Sequence, residues 1–171
     1  MRIFSIMVCL LIICGCSVQS SQLSAVMDLI KKPASDISLN GWSVKYADYK
    51  AIVYPVNTPK GILFSNQMGD QVLFDGWSVR RFSGLGLRGP AYQNSDIANQ
   101  RTFVRGGRTL AVHQCDQWQQ KQQSGKKQFS QSCKGDSIYT NSILVGQDGS
   151  ISVIEQIVGE RYEPLILTRL N

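Results

Sequence analysis

From residue 42 onward the chain is built of short apolar runs, rich in Val, Ile, Leu, Phe and Tyr, each cut off by Gly, Asn, Asp or Pro. An amphipathic helix needs apolar residues recurring about every 3.6 positions over ten or more residues. Runs this short and this often broken read as strands. They predict strands near 42–47, 50–56, 61–66, 71–75, 77–83, 101–105, 108–114, 127–133, 142–147, 150–158 and 164–170. Met68-Gly69-Asp70 and Asp148-Gly149 can supply the positive φ that tight hairpins demand. Residues 84–100, with three Gly and one Pro, are expected to be a long loop. Residues 116–126 (DQWQQKQQSGK), polar and Gln-rich, are expected to form a solvated hairpin tip or a helical turn. At 43% hydrophobic and 18% charged residues the chain can bury a core. The fold class that follows is mostly β: an antiparallel β-sandwich or open barrel.

The first residues read as an address. Met1-Arg2 is a short positive start, and residues 3–13 (IFSIMVCLLII) form an apolar stretch of signal-peptide size. Ile13-Cys14-Gly15-Cys16 then resembles the bacterial lipobox, an aliphatic residue and two small ones before a Cys. That resemblance implies a signal peptide over 1–15, a diacylglyceryl group on the sulphur of Cys16, cleavage before it, and a third acyl chain on the new amino group. At about 0.8 kcal/mol per buried CH₂, more than one chain anchors stably. The alternative is an ordinary secretory signal with an incidental Cys. Ser17 follows, with no Asp to suggest inner-membrane retention, so the expected site is the outer membrane, facing the periplasm. Residues 16–22 form a polar tether. Leu23, Val26, Met27 and Ile30 sit at helical spacing and predict a short amphipathic helix that Pro33 closes. A single β-rich domain is expected within residues 23–171.

Cysteine usage fits the same compartment. Cys9 and Cys14 leave with the signal and Cys16 carries lipid, which leaves Cys115 and Cys133. In an oxidising periplasm these two are expected to pair. Metal binding is the rival, and it needs more ligands than nearby His113 supplies.

Several chemistries find little purchase. His113 could act as a base only beside a free Cys115 thiolate, so a structural role is expected for it. Gly84-Leu85-Gly86-Leu87-Arg88-Gly89 spells G-x-G-x-x-G, but Pro90 follows at once and no helix opens, so it reads as a flexible loop tip and no nucleotide cofactor is implied. Carboxylate pairs such as Asp70 and Asp75, or Glu155 and Glu160, read as turn or strand-edge residues rather than a glycosidase dyad. A net charge of +6 is too modest to announce nucleic-acid binding. The arginines are more suggestive. Arg80, Arg81 and Arg88 flank the Gly loop, and Arg101, Arg105 and Arg108 follow it. In a regular strand over 77–83, Arg80 and Phe82 share one face and Trp77, Val79 and Arg81 the other. If these segments converge, six guanidiniums with aromatics nearby make a polyanion-binding surface for acidic polysaccharide or lipid headgroups. The alternative is a solvated, mixed-charge β surface.

Two stretches match internally. Ile62-Leu63-Phe64 through Gly69 to Leu73-Phe74-Asp75 aligns with Ile143-Leu144-Val145 through Gly149 to Val153-Ile154-Glu155. Shared hairpin geometry and a duplicated unit both account for it.

The segment Ile62-Leu63-Phe64…Asp75-Gly76-Trp77-Ser78-Val79-Arg80-Arg81-Phe82-Ser83-Gly84-Leu85 resembles the middle of the YjbF-like lipoproteins of group 4 capsule and exopolysaccharide operons. Tyr139-Thr140-Asn141-Ser142-Ile143-Leu144-Val145…Gly149-Ser150-Ile151…Gln156-Ile157-Val158…Pro164-Leu165-Ile166-Leu167 resembles their ending. The resemblance implies a non-enzymatic accessory lipoprotein of polysaccharide assembly or export, binding an export-complex partner or the acidic polymer. The competing expectations are a generic outer-membrane scaffold with protein partners only, and a periplasmic glycan-active enzyme.

Overall fold

A computed structural model describes residues 41–123 and 126–170. The signal segment, Cys16, the tether and the helix expected over 23–30 lie outside the described residues.

Among the described residues every regular element is a strand: β1 (Trp42–Tyr46), β2 (Tyr49–Thr58), β3 (Gly61–Ser65), β4 (Gln71–Phe74), β5 (Val79–Ser83), β6 (Tyr92–Ile97), β7 (Gln100–Arg105), β8 (Arg108–Cys115), β9 (Gln119–Gln123), β10 (Lys126–Lys134), β11 (Ile138–Val145), β12 (Ile151–Ile157) and β13 (Pro164–Arg169). All neighbours are antiparallel. β1 to β8 form a meander, β10 to β13 a second, and β13 pairs back onto β1 from Trp42↔Arg169 to Tyr46↔Leu165. β10 joins the two runs, pairing with β11 along one edge and with β8 at Cys133↔Cys115 on the other. The expected antiparallel β fold is present, but the sheet is a closed ring of twelve strands, not an open barrel. Closure gives every strand of the ring a neighbour on both sides, but β8 meets β10 only at Gln114 and Cys115, so Arg108 to His113 have no strand partner on that side among the described residues. β9 stands outside it, sharing the edge of β10 that β8 vacates.

A round barrel of this many strands would enclose space. Here opposite walls touch. The rings of Tyr46 on β1 and Phe82 on β5 lie 5.4 Å apart. Gln156 on β12 bonds to backbone beside β5, on the far side of the ring. The barrel is therefore pinched and filled, with Val44, Val53, Phe64, Phe74, Phe82, Ile154, Leu165 and Leu167 nearly inaccessible.

Two expectations fail for identifiable reasons. β6 occupies the stretch expected to be loop. Its inward residues are Tyr92, Asn94 and Asp96, so polar groups face the interior and erase the apolar alternation. In β5 a bulge sets both Val79 and Arg80 opposite Phe74. Val79 is turned inward, away from the face of Arg81 that simple alternation assigns it.

The Gly84–Gly89 segment is not a flexible tip. Leu85 is 1% exposed and seals one end of the core. Its N–H donates to the buried Asp70 carboxylate at 2.6 Å. Gly84 has φ +73°, and a Cβ there would meet Asp70 at 2.6 Å, so only glycine fits. The two matched hairpins, β3–β4 and β11–β12, share turn bonding, with Asn66 N–H to Asp70 O and Gly146 N–H to Ser150 O, and their outer pairs correspond (Ile62↔Phe74, Ile143↔Ile154), but β11–β12 has a bulge at Leu144/Val145 that β3–β4 lacks.

Candidate functional site

At one end of the pinched barrel three connections meet: the β4–β5 loop (Asp75 to Ser78), the β6–β7 turn, and the short step Asp116-Gln117-Trp118 between β8 and β9. They surround an open cleft of about 720 Å³, within the range of small-molecule sites. Trp77 is 47% exposed. Its ring lies 5.7 Å from Trp118 and 5.3 Å from Phe129. Asp75, Asp96 and Asp116 add carboxylates to the lining, and Asn99, Gln117 and Gln131 add amides.

Local chemistry holds each tryptophan. Asp75 turns the β4–β5 loop by accepting from the N–H groups of Trp77 and Ser78, at 2.9 and 2.7 Å. Gln156 donates to the Trp77 carbonyl at 2.7 Å and accepts from the Val79 N–H at 3.0 Å. On the other side Gln131 donates to the carbonyl of Asp116 at 2.9 Å, two residues before Trp118. The Cys115–Cys133 disulfide, expected from the sequence, sits at the root of the same step.

Beneath the cleft lies Arg101, 1% exposed. Its Nε donates to Asp96 at 2.8 Å, and an Nη donates to Asp96, Ser78 and Gln131 at 3.0, 2.8 and 3.2 Å. Arg80 bonds Asp75 through Nε and Asp96 through Nη1, the latter at 3.1 Å. Burial raises the pKa of Asp96, but the hydrogen bonds and charge of Arg101, the Ser78 hydroxyl and the charge of Arg80 together outweigh it and hold the carboxyl below its ordinary value.

The six arginines expected to form one surface are dispersed by the fold. Arg80 and Arg101 share Asp96, and both are committed to internal carboxylates. Arg105 clips the Gly loop, bonding Arg88 and Pro90 carbonyls and the Tyr92 hydroxyl and lying over the Tyr92 ring. It sits four residues along β7 from Arg101, roughly 13 Å at strand rise. Arg88 and Arg108 are exposed near that opposite end, and Arg81 points outward beside Leu73. His113 is buried. Its Nδ1 shares a 2.8 Å hydrogen bond with the Tyr139 hydroxyl, and its ring stacks on Tyr162. This is the structural role expected.

Trp77 is among the aromatics expected beside the arginines, whereas Trp118, Asp96 and Asp116 are cleft residues that the sequence did not single out. Trp118, a lone large aromatic in a polar Gln run, is half-buried against the core cluster and also lines the cleft. Asp96 gave no signal, because its strand was not legible.

No family model, curated protein or solved structure matched the chain. The geometry alone therefore says what the cleft can do. A partly exposed indole offers a flat apolar face, and the carboxylate and amide groups around it accept and donate hydrogen bonds at fixed positions. That combination suits a polyhydroxylated ring.

Proposed function

We propose that this protein is a non-enzymatic accessory lipoprotein of capsule or exopolysaccharide assembly or export, held to the outer membrane through Cys16, and that it binds polysaccharide in the tryptophan cleft. The observation that carries the glycan reading is the pair Trp77 and Trp118 beside carboxylates and amides, on loops that buried residues hold still. The lipobox-like Ile13-Cys14-Gly15-Cys16 supports the anchor, and the resemblance to YjbF-like lipoproteins supports the setting. A binding role fits the carboxylates better than catalysis. Glycoside hydrolysis needs one carboxyl kept protonated. Asp96 is instead held ionised chiefly by Arg101, and both Asp75 oxygens are engaged, one by turn amides and one by Arg80, which leaves Asp116 as a single free carboxylate among the described residues of the lining, where hydrolysis needs two.

The test is affinity electrophoresis of the detergent-solubilised native protein through gels containing the exopolysaccharide of its own source cells. Retention that Trp77→Ala abolishes and Arg88→Ala leaves intact supports the reading. Unretarded migration contradicts it. Mass spectrometry of the same preparation is expected to give a triacylated chain beginning at Cys16.

One observation favours a second reading, a scaffold with protein partners. Ile52, Tyr54 and Val56 line the outer face of β2 and are 51%, 38% and 51% exposed. Under that reading Val56→Glu releases a co-purifying envelope protein and Trp77→Ala does not.

A further inference from the structure

The cleft lacks the free guanidiniums that the arginine-rich sequence suggests. Three carboxylates line it, those of Asp75, Asp96 and Asp116, and among the lining residues Arg80 is the one cation. Arg80 is already committed: its Nε faces Asp75 and its Nη1 faces Asp96. Arg101 lies behind the wall with its donors on Asp96, Ser78 and Gln131. Neither guanidinium retains the free fork that grips an incoming carboxylate or phosphate in bidentate fashion. Asp116 is exposed, and its carboxylate has no hydrogen-bond partner among the described residues.

Arg80 and Arg101 neutralise Asp75 and Asp96, so a uronic acid seated on Trp77 would bring its own carboxylate against the one charge of the lining left unpaired among the described residues, that of Asp116. Like charges a few ångströms apart in a half-desolvated cleft repel by more than about 1 kcal/mol. A neutral sugar meets the opposite situation. Its hydroxyls are donors and acceptors, and the cleft presents the Asp116 carboxylate and the Asn99 and Gln117 amides to meet them, with the apolar ring face left to pack on the indole.

We infer that the cleft selects uncharged hexose units, and that any acidic sugar of a bound polymer lies outside it. This inference rests on the reading of the cleft as a glycan site, which the experiment checks separately. The native protein is run through gels containing a neutral polymer (mixed-linkage β-glucan or galactomannan) or a polyuronate (polygalacturonate or alginate), at low and at physiological salt. The expected result is retention by at least one neutral polymer, about tenfold stronger than by either polyuronate, and loss of that retention in Trp77→Ala. Asp116→Asn is expected to increase polyuronate retention at low salt, because it removes one repelling charge. Polyuronate retention equal to or above neutral retention, and lost in Trp77→Ala, overturns the selectivity while leaving the glycan site standing. Absence of retention by all four polymers overturns both. Circular dichroism of each variant separates loss of binding from loss of fold.

Discussion

Gln156 reaches across the barrel from β12 and donates its amide N–H to the main-chain carbonyl of Trp77 at 2.7 Å. Its side-chain oxygen accepts from the Val79 N–H at 3.0 Å. β12 and β5 lie on opposite sides of the twelve-strand ring, so one side chain both holds the pinch and fixes the loop that carries the cleft tryptophan. Replacing it leaves the buried Val79 N–H and the part-buried Trp77 carbonyl without this partner. Gln156→Leu is expected to destabilise the domain by about 2–4 kcal/mol, counting about 1–3 kcal/mol per orphaned buried group. Urea unfolding followed by circular dichroism checks this, and an effect below 0.5 kcal/mol would show the bridge to be dispensable.

Arg101 and Arg88 give a sharper contrast than their shared residue type suggests. Arg101→Met leaves Asp96, whose side chain is one-quarter exposed, with only Arg80 and the Ser78 hydroxyl as partners, and removes donors from Ser78 and Gln131. A loss on the order of 3 kcal/mol is expected, at the low end for breaking a buried pair because water still reaches Asp96. Arg88→Ala at an exposed position should change stability by no more than about 0.5 kcal/mol. Equal losses in the two variants would contradict the assignment of Arg101 as a buried anchor.

The disulfide closes a segment with a sequence separation of 18, for which chain entropy suggests about 3 kcal/mol. It also pins β8 to β10 where they share only the pairs Cys133↔Cys115 and Lys134↔Gln114. Cys115→Ser with Cys133→Ser is expected to lower the unfolding free energy by about that amount and to red-shift tryptophan emission as the Asp116–Trp118 step loosens. An unshifted emission spectrum would separate the bridge from the cleft.

Much of this architecture was legible in the sequence because strands with apolar inward faces declare themselves. Trp42, Val44 and Tyr46, or Leu165 and Leu167, alternate as a core-facing edge should. The wall around the cleft was hidden for the same reason it is useful. Asp96 and Gln131 in its lining, and Arg101 and Gln156 bonded to that lining, point inward, so the interior there is polar and the alternation inverts or vanishes. The six arginines misled because spacing along a chain does not report which of them the fold will pair with aspartates. Ring closure depends on the β1–β13 pairing between the two ends of the described domain, which no local pattern encodes.

His113 gives a pH signature. Burial lowers its pKa below the ordinary 6.5, with Asp136 pulling it up and Arg101 pushing it down. The unfolded chain therefore binds the proton first. Stability from this site is full above about pH 6.5 and declines as pH falls below it toward the folded value. The thermal midpoint is expected to drop between pH 7.5 and 5.5, with a shallower slope in that interval for His113→Gln. Identical slopes in the two proteins would assign the decline to other groups.

The most direct test of the account uses the three tryptophans as reporters. Trp42 is buried in the core at 7% exposure, while Trp77 and Trp118 line the cleft. With ¹⁵N-labelled protein titrated with β-glucan or galactomannan oligosaccharide, the indole N–H resonances of Trp77 and Trp118 should shift saturably while that of Trp42 stays fixed. Saturable binding that leaves both cleft indoles unmoved, or no binding of either oligosaccharide or the native exopolysaccharide, would contradict the central claim.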